Sequence, residues 1–481
     1  MDHTRITQKD LATTLRVLEA AAELNQDSPE AQQLRKALSG LYKQWKKARR
    51  QEAKQERRNA DEQILRRTAT ASANRVDDET AGLLISPLGQ KPVALEAGAV
   101  ATPHGFAGKL RKAQNCYVCK KPYTLVDSFH HQLCPDCAAD NRLRREASVD
   151  LSGRRALLTG GRAKIGMYIA LKLLRDGADL TITTRFPADA ARRFAAVADS
   201  SEWLHRLNVV GIDLRNPARV AEFAEDFAKA PVDILINNAA QTVRRSPGAY
   251  SGLIDAEQAA LTGAAAEVKV LSYGPTHNLH PQQLESATAA QRWVDESMLA
   301  LQAGAHTEQT VDAGGLIPDL VSHNSWVAKV GEVDPIEMLE VQLCNATAPF
   351  ILLNRLRPAL IAAKARRKYV VNVSAMEGVF GRGYKGPGHP HTNMAKAALN
   401  MLTRTVAGEL VEHGVLVTAV DTGWITDERP HTTKQRLHKE GFRAPLDLVD
   451  GAARVYDPIV QGENGVDLYG CFLKDYRPHP W

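Results

Sequence analysis

Four cysteines stand in two pairs, Cys116-Tyr-Val-Cys119 and Cys134-Pro-Asp-Cys137, with fourteen residues between the pairs. Two Cys-x-x-Cys knuckles at that separation let four thiolates converge tetrahedrally on one zinc ion. The surrounding segment, 106–147, has almost no apolar core of its own, so a bound metal would supply its folding energy. Four protein ligands leave no open position, the form of a structural rather than a catalytic zinc. His130 and His131 lie between the knuckles. Either could replace a cysteine; the plainer reading is two surface histidines. Further on, RRALLTGGRAKIGMYIALKLLRDGADLTITTR reads as strand, glycine turn, helix, strand. Gly160, Gly161 and Gly166 would let the backbone approach a pyrophosphate lying on the helix N-terminus. A third segment, 369–399, gathers Ser374, Glu377, Tyr384, His389, His391, Thr392 and Lys396. Among these His391 is the best chemical candidate for moving a proton, because imidazole titrates near neutrality; the alternative is that both histidines are ordinary loop residues.

The elements that position these groups fall into modules. A chain of 481 residues predicts one large domain with smaller attachments. Residues 1–68 read as a helical, basic arm: Leu11, Leu15, Leu18 and Ala22 repeat at helical spacing, Thr7 and Asp10 suit a capping box, and Ser28-Pro29 restarts the helix. The stripe Leu34, Leu38, Leu41, Trp45 then fades into KKARRQEAKQERRNADEQILRR. That stretch reads as a solvated or coiled-coil arm, or else as a phosphate-contacting arm for nucleic acid. Residues 69–105 read as a linker, and 148–481 as alternating strands and helices, the pattern of a doubly wound parallel sheet. The fold class expected is therefore α/β, a Rossmann sheet with an N-terminal helical arm and a small zinc module. Apolar content of 44%, charged content of 24% and a net charge of +6 fit a soluble protein. No apolar run of membrane-spanning length and no signal-peptide core are read, and Cys344 and Cys471 are expected as buried thiols. A cytosolic, reducing location is expected.

From about residue 150 onward the chain resembles the short-chain dehydrogenase/reductase family. Thr159 to Gly166 matches the family's Thr-Gly-x-x-x-Gly-x-Gly turn, with Lys164 at the middle glycine. Asp213-Leu214 matches the adenine-contacting aspartate, Asn237-Asn238-Ala239-Ala240 the Asn-Asn-Ala-Gly of the cofactor cleft, and Asn345 the asparagine of the fourth helix. Val420-Asp421-Thr422-Gly423-Trp424 matches the Pro-Gly loop beside the nicotinamide. In 369–399, Lys396 matches the family lysine, while Ala375 stands at the serine and Thr392 at the tyrosine. The resemblance implies a cofactor site of Thr159, Gly160, Gly161, Arg162, Ile165, Gly166, Arg185, Asp213, Leu214, Asn238, Ala239, Lys396 and Gly423. It implies a catalytic set drawn from Lys396, Asn345, Thr392, Ser374 and His391. Ser374 is one residue off, which along a strand sends its side chain to the other face.

The second strand ends Thr183-Thr184-Arg185, with no carboxylate for a ribose 2′-hydroxyl. Arg185, with Arg162 and Lys164, offers charge for a 2′-phosphate, so NADP is expected over NAD. A connection of 106 residues separates Asn238 from Asn345, and its insertion at about 241–330 is read as either a lid or substrate wall, or an inert excursion. Arg244 and Arg245 are expected at the cleft mouth, where they would hold an acidic substrate. Two functions follow. One is an NADP-dependent oxidoreductase moving a hydride to or from a carbonyl or imine with an altered proton donor. The other is an inactive NADP-binding sensor or scaffold that engages a protein or nucleic acid through the zinc module and basic helix. Family resemblance adds a homo-oligomer, and no membrane partner is expected.

Overall fold

A computed structural model describes residues 6–72, 75, 86–87, 105–276 and 310–481. The arm is two helices, Gln8–Ala21 and Pro29–Leu65. Thr7 and Asp10 form the capping box, and Ser28 Oγ accepts from Ala31 N at 3.2 Å. Neither helix buries a residue completely, and Leu38, Leu41, Tyr42 and Trp45 stay exposed. Among the described residues only the end of the arm is anchored. Asp61 there accepts backbone N–H bonds from Arg111 and Lys112, while Ile64 and Leu65 pack against the cysteine module. A turn at Ala69–Ala71 follows, with Thr70 buried, and Arg75 donates to the carbonyls of Ala444 and Leu446. Most of the expected linker lies outside the described residues, apart from a two-residue strand, β1 (Ser86–Pro87), paired with β9 (Thr310–Val311).

The cysteine module is a hairpin of β2 (Phe106–Asn115) and β3 (Pro122–Asp127) followed by the helix Pro135–Glu146. After it come β4 (Arg155–Thr159), β5 (Asp179–Thr184), β6 (Leu207–Gly211), β7 (Ile234–Asn237), β8 (Lys269–Ser272), β10 (Lys368–Ser374), β11 (Val415–Asp421), β12 (Cys471–Lys474) and β13 (Arg477–His479). These form one sheet in the order β13-β12-β11-β10-β7-β4-β5-β6-β8, parallel except for β13. The central strands are apolar on both faces because helices cover both, as a parallel sheet requires. Strand order reverses at β4. A crevice therefore opens outside the carboxyl ends of β4 and β7, where ligands bind in such sheets.

Among the described residues one helical run, Pro335–Ala362, is long and apolar enough to cross a membrane, where no such run is expected. It is apolar because Leu352, Leu353, Leu356 and Leu360 press onto the sheet.

His130 and His131, expected on the surface, are buried and belong to neither a metal set nor solvent. His130 Nε2 lies 3.2 Å from Asp450, and His131 Nδ1 pairs with Thr70 Oγ1 at 2.8 Å. Burial drives the His131 pKa down to about 3. Arg145 of the module bonds Asp447 through both terminal nitrogens and reaches Asp450 at 3.0 Å. Asp447 and Asp450 also form the capping box of the helix Leu448–Glu463. Burial opposes ionisation of Asp450, but the charges of His130 and Arg145 outweigh it and hold the carboxyl far below its ordinary range. A depressed carboxyl pKa contributes stability that is present above about pH 4 and is lost as pH falls. Removing the carboxylate leaves buried partners uncompensated. Asp450→Ala should therefore cost about 3–5 kcal/mol in chemical denaturation at pH 7, and the cost should shrink in acid.

Candidate active site

Six loops at the carboxyl edge of the sheet enclose a cavity of about 940 Å³. It runs from Arg185, Asp213 and Tyr250 at one end, over the glycine turn, to Ala375, Lys396 and Trp424 at the other. The turn is built for close backbone approach. Gly160 has φ +69°, and a Cβ there would lie 2.9 Å from Ala239 Cα; at Gly166 it would meet Gly160 O at 2.0 Å. Asn238 Nδ2 donates to the carbonyls of Thr159 and Gly160, while Thr159 Oγ1 accepts from Asn238 N and Ala239 N, each at 3.0 Å. Thr159 thus stands behind the cleft as a brace. Gly161 also faces away: a Cβ there would strike Ile182 at 2.5 Å. Ile165, Gly166, Leu214, Asn238, Ala239 and Gly423 line the cavity.

The cations of the turn are already paired. Arg162 bonds Asp189 at 2.5 Å and Gly314 O at 2.6 Å. Lys164 takes a left-handed backbone, φ +54°, which carries its Nζ out to 3.6 Å from Asp312. The expectation that Arg162 serves a 2′-phosphate is corrected accordingly, because Asp189 holds its guanidinium. Asp312 and Gly314 belong to the insertion, so its 310–317 stretch is packed on the turn; residues 277–309 lie outside the described residues. Arg185 differs. Its guanidinium sits over the Tyr250 ring at 4.8 Å and the Phe186 ring at 5.6 Å, facing the cavity. Asp213 does not wait unpartnered for an adenine, since Arg215 grips both its oxygens and bridges to Glu340 at 3.0 Å. Arg244 likewise turns inward, to Glu340 at 3.5 Å, while Arg245 lines the cavity.

At the far end, Lys396 is buried and donates to Val373 O at 2.8 Å. Burial lowers its pKa to about 8, against the smaller pull of Cys344 and Glu377. Asn345 interrupts its helix with a π turn, Leu343–Thr347, and its side chain bonds both backbone groups of Gln241. Ser374 Oγ donates to Asn400 Oδ1 at 2.5 Å, turned into the helix Pro390–Val411. His391 and Thr392 are buried on that helix and line no part of the cavity. Burial also pushes the His391 pKa down to about 4, leaving a neutral ring that does not itself line the cavity. The expectation that His391 and Thr392 act on substrate is corrected on these grounds; Ser374 lines the cavity, but its hydroxyl is committed to Asn400. His389 stacks on Trp326 of the insertion, centroids 4.1 Å apart. Cys344 and Cys471, expected buried, are half-buried, and Cys344 faces the cleft.

Glu377, read from the sequence among the groups near the strand that could move a proton, and Asp421, read within the loop beside the nicotinamide, both line this end, as do Lys474 and Tyr117, which sequence reasoning missed. Glu377 pairs with Arg382 at 3.3 Å, and Asp421 with Lys474 at 3.5 Å. Burial raises the Asp421 pKa. In the cysteine module the four sulfurs lie within 4.8 Å of one another. The pair Cys119–Cys134 is 3.7 Å apart, close to the roughly 3.8 Å that a tetrahedral Zn–S bond of about 2.3 Å requires. Cys134 N–H points at Cys116 Sγ from 3.3 Å, a bond that supports a charged sulfur.

Residues 154–258 match the family described as short chain dehydrogenase, and 311–445 the family described as enoyl-(acyl carrier protein) reductase. An uncharacterised protein, R665 of Acanthamoeba polyphaga mimivirus, is 31% identical over 371 residues, 74% of this chain and 73% of its own. The chain belongs to the short-chain dehydrogenase/reductase family. A probable oxidoreductase of Streptomyces antibioticus shares 36% identity over 94 residues, 19% of this chain and 30% of its own. Among solved structures, Pseudomonas aeruginosa RhlG in an NADP complex is 20% identical with TM-score 0.42, covering 67% of this chain and 95% of its own. NADPH-bound carbonyl reductase from chicken fatty liver is 18% identical with TM-score 0.42, covering 69% and 100%.

In this short-chain dehydrogenase/reductase the depressed Lys396 pKa has a stability consequence. The native state releases the proton near pH 8 and the unfolded state near 10.5, so stability rises with pH between them. Denaturation midpoints at pH 7.5 and 10 should show a rise that Lys396→Met lacks, a difference on the order of 3 kcal/mol at most.

Proposed function

We propose that the chain binds NADP(H) in the cleft and transfers a hydride to or from a carbonyl or imine, with proton handling unlike the family's usual serine and tyrosine. The observation that carries this is the pairing of two cationic groups at opposite ends of one cavity: Arg185 presented over Tyr250, and Lys396 buried beside Val373 O. The first suits a ribose 2′-phosphate and the second a nicotinamide ribose. When bound, NADPH supplies the hydride. The protein's part is to orient and to hold protons. Ala375 offers no hydroxyl and Thr392 is walled off, so the proton falls to Glu377, which lines the cleft within electrostatic reach of Lys396. A second reading, an inactive NADP sensor, is favoured by the same missing hydroxyls. The four cysteines we assign to one structural zinc ion, and a thiolate-zinc set suits a reducing cytosol.

Arg185→Ala should weaken NADPH binding roughly tenfold to hundredfold, leaving NADH within about twofold, by fluorescence titration. Turnover of NADPH with a carbonyl and imine panel, lost on Glu377→Gln without loss of binding, supports the enzyme. Tight binding without turnover on the whole panel favours the sensor, and no binding at all sinks both. Mass spectrometry should find one zinc per chain, and Cys119→Ser should lower that content.

A further inference from the structure

The cysteine module is a neighbour of the cleft, not a remote appendage. Tyr117 stands between the first two ligand cysteines, and its ring reaches past the hairpin into the cavity wall. Its hydroxyl accepts a hydrogen bond from Trp424 N at 2.8 Å. Trp424 follows Gly423, whose φ is +78°; a Cβ there would meet Leu446 at 2.5 Å and Tyr117 Oη at 3.6 Å. The loop leaving β11 thus fits between the module and the helix Leu448–Glu463 with no room for a side chain at its bend. Tyr117's own place is fixed from the metal side, because its backbone N donates to Gln132 O at 2.8 Å beside the second knuckle. The hydroxyl accepts from the loop and keeps its own proton to donate toward the cavity.

We propose that Tyr117 is a positioning residue for the nicotinamide end of the ligand. It holds the 422–426 loop at the cleft and donates to a carboxamide-type oxygen, so that the metal module forms one wall of the cofactor site. This inference rests on the NADP(H) reading. The loop follows the strand whose Cα partners run alongside Val373 and Ser374, which places it at the Lys396 end, far from Arg185. Tyr117 therefore acts on one half of a dinucleotide and leaves the other half alone.

That division supplies the test. Full-length wild type, Tyr117→Phe and Tyr117→Ala are titrated with NADPH and with adenosine 2′,5′-bisphosphate, which lacks nicotinamide. Zinc content and thermal midpoint are measured on each. Losing one neutral hydrogen bond should weaken NADPH binding by Tyr117→Phe about three- to tenfold, and by Tyr117→Ala further. Bisphosphate affinity and zinc content should stay within twofold. If wild type binds both ligands and neither variant loses NADPH affinity, the inference falls while the cofactor reading stands. An equal loss for both ligands also overturns it, because that would mark Tyr117 as a packing residue only. Wild type that binds neither ligand overturns the cofactor reading and this inference with it.

Discussion

Asp450 is the charge on which the assembly of this molecule turns. It caps its own helix, meets His130 from the hairpin and Arg145 from the module helix, and has no contact with water. Around it Arg144 bonds Asp457 at 2.6 Å, and buried Arg454 bonds Asn141 at 2.9 Å. Taking ions out of water is costly, and the attraction gained repays that only when every partner is in place. Such a cluster adds less to net stability than to uniqueness of docking. An apolar interface would tolerate sliding of the module across the sheet edge, whereas this one is satisfied at a single register. With a core of few residues, chiefly Leu110, Tyr123, Val126 and Leu133, the module could not impose that register by packing alone.

The fixed register has a consequence at the cleft. Three separate parts of the chain now contribute walls to it: the Rossmann loops, the module through Tyr117, and the insertion through Asp312 to Leu316. Pairing of Arg162 with Asp189 and of Lys164 with Asp312 removes most of the turn's free positive charge. A pyrophosphate there would be held by backbone N–H groups and the helix N-terminus more than by side-chain charge. Under the NADP(H) reading, selectivity for a phosphorylated ribose would rest on Arg185, whose guanidinium lies over ring faces at the cavity wall.

The alternation of strands and helices in a doubly wound parallel sheet was legible because apolar runs and glycine turns are local signals. The glycine turn was legible for the same reason, whereas Asn238, Asn345 and Lys396 were read from their resemblance to the family's motifs. The four cysteines were legible from spacing alone. What stayed hidden depends on contacts remote in sequence. His130 and His131 read as surface residues because their partners, Asp450 and Thr70, lie 320 and 61 residues away. His391 read as a proton carrier because proximity in sequence to Lys396 says nothing of which helix face it occupies. Tyr117 looked like a spacer between two ligands; only docking of the module shows it the cavity. The insertion's role could not be read because Asp312 acts on Lys164 across the fold.

The distribution of hydroxyls around the site bears on its chemistry. Asn237 donates to Asn372, Asn372 to Thr403, and Ser374 to Asn400, so the polar side chains behind the cleft tie β7 and β10 to the lysine helix. Most of these groups are engaged with one another, although Asn237 Oδ1 and Asn400 Nδ2 have no partner among the described residues, and turning an engaged group to a substrate would break a buried network at about 1–3 kcal/mol per orphaned group. Lys396 escapes that constraint, since its single bond is to a strand carbonyl and its burial brings it near neutrality. Under the proposed reading, that lowered pKa would let the amine tune proton exchange at Glu377 without a phenol. The fold thus keeps the lysine helix rigid through hydroxyls and leaves the titratable groups to face the ligand.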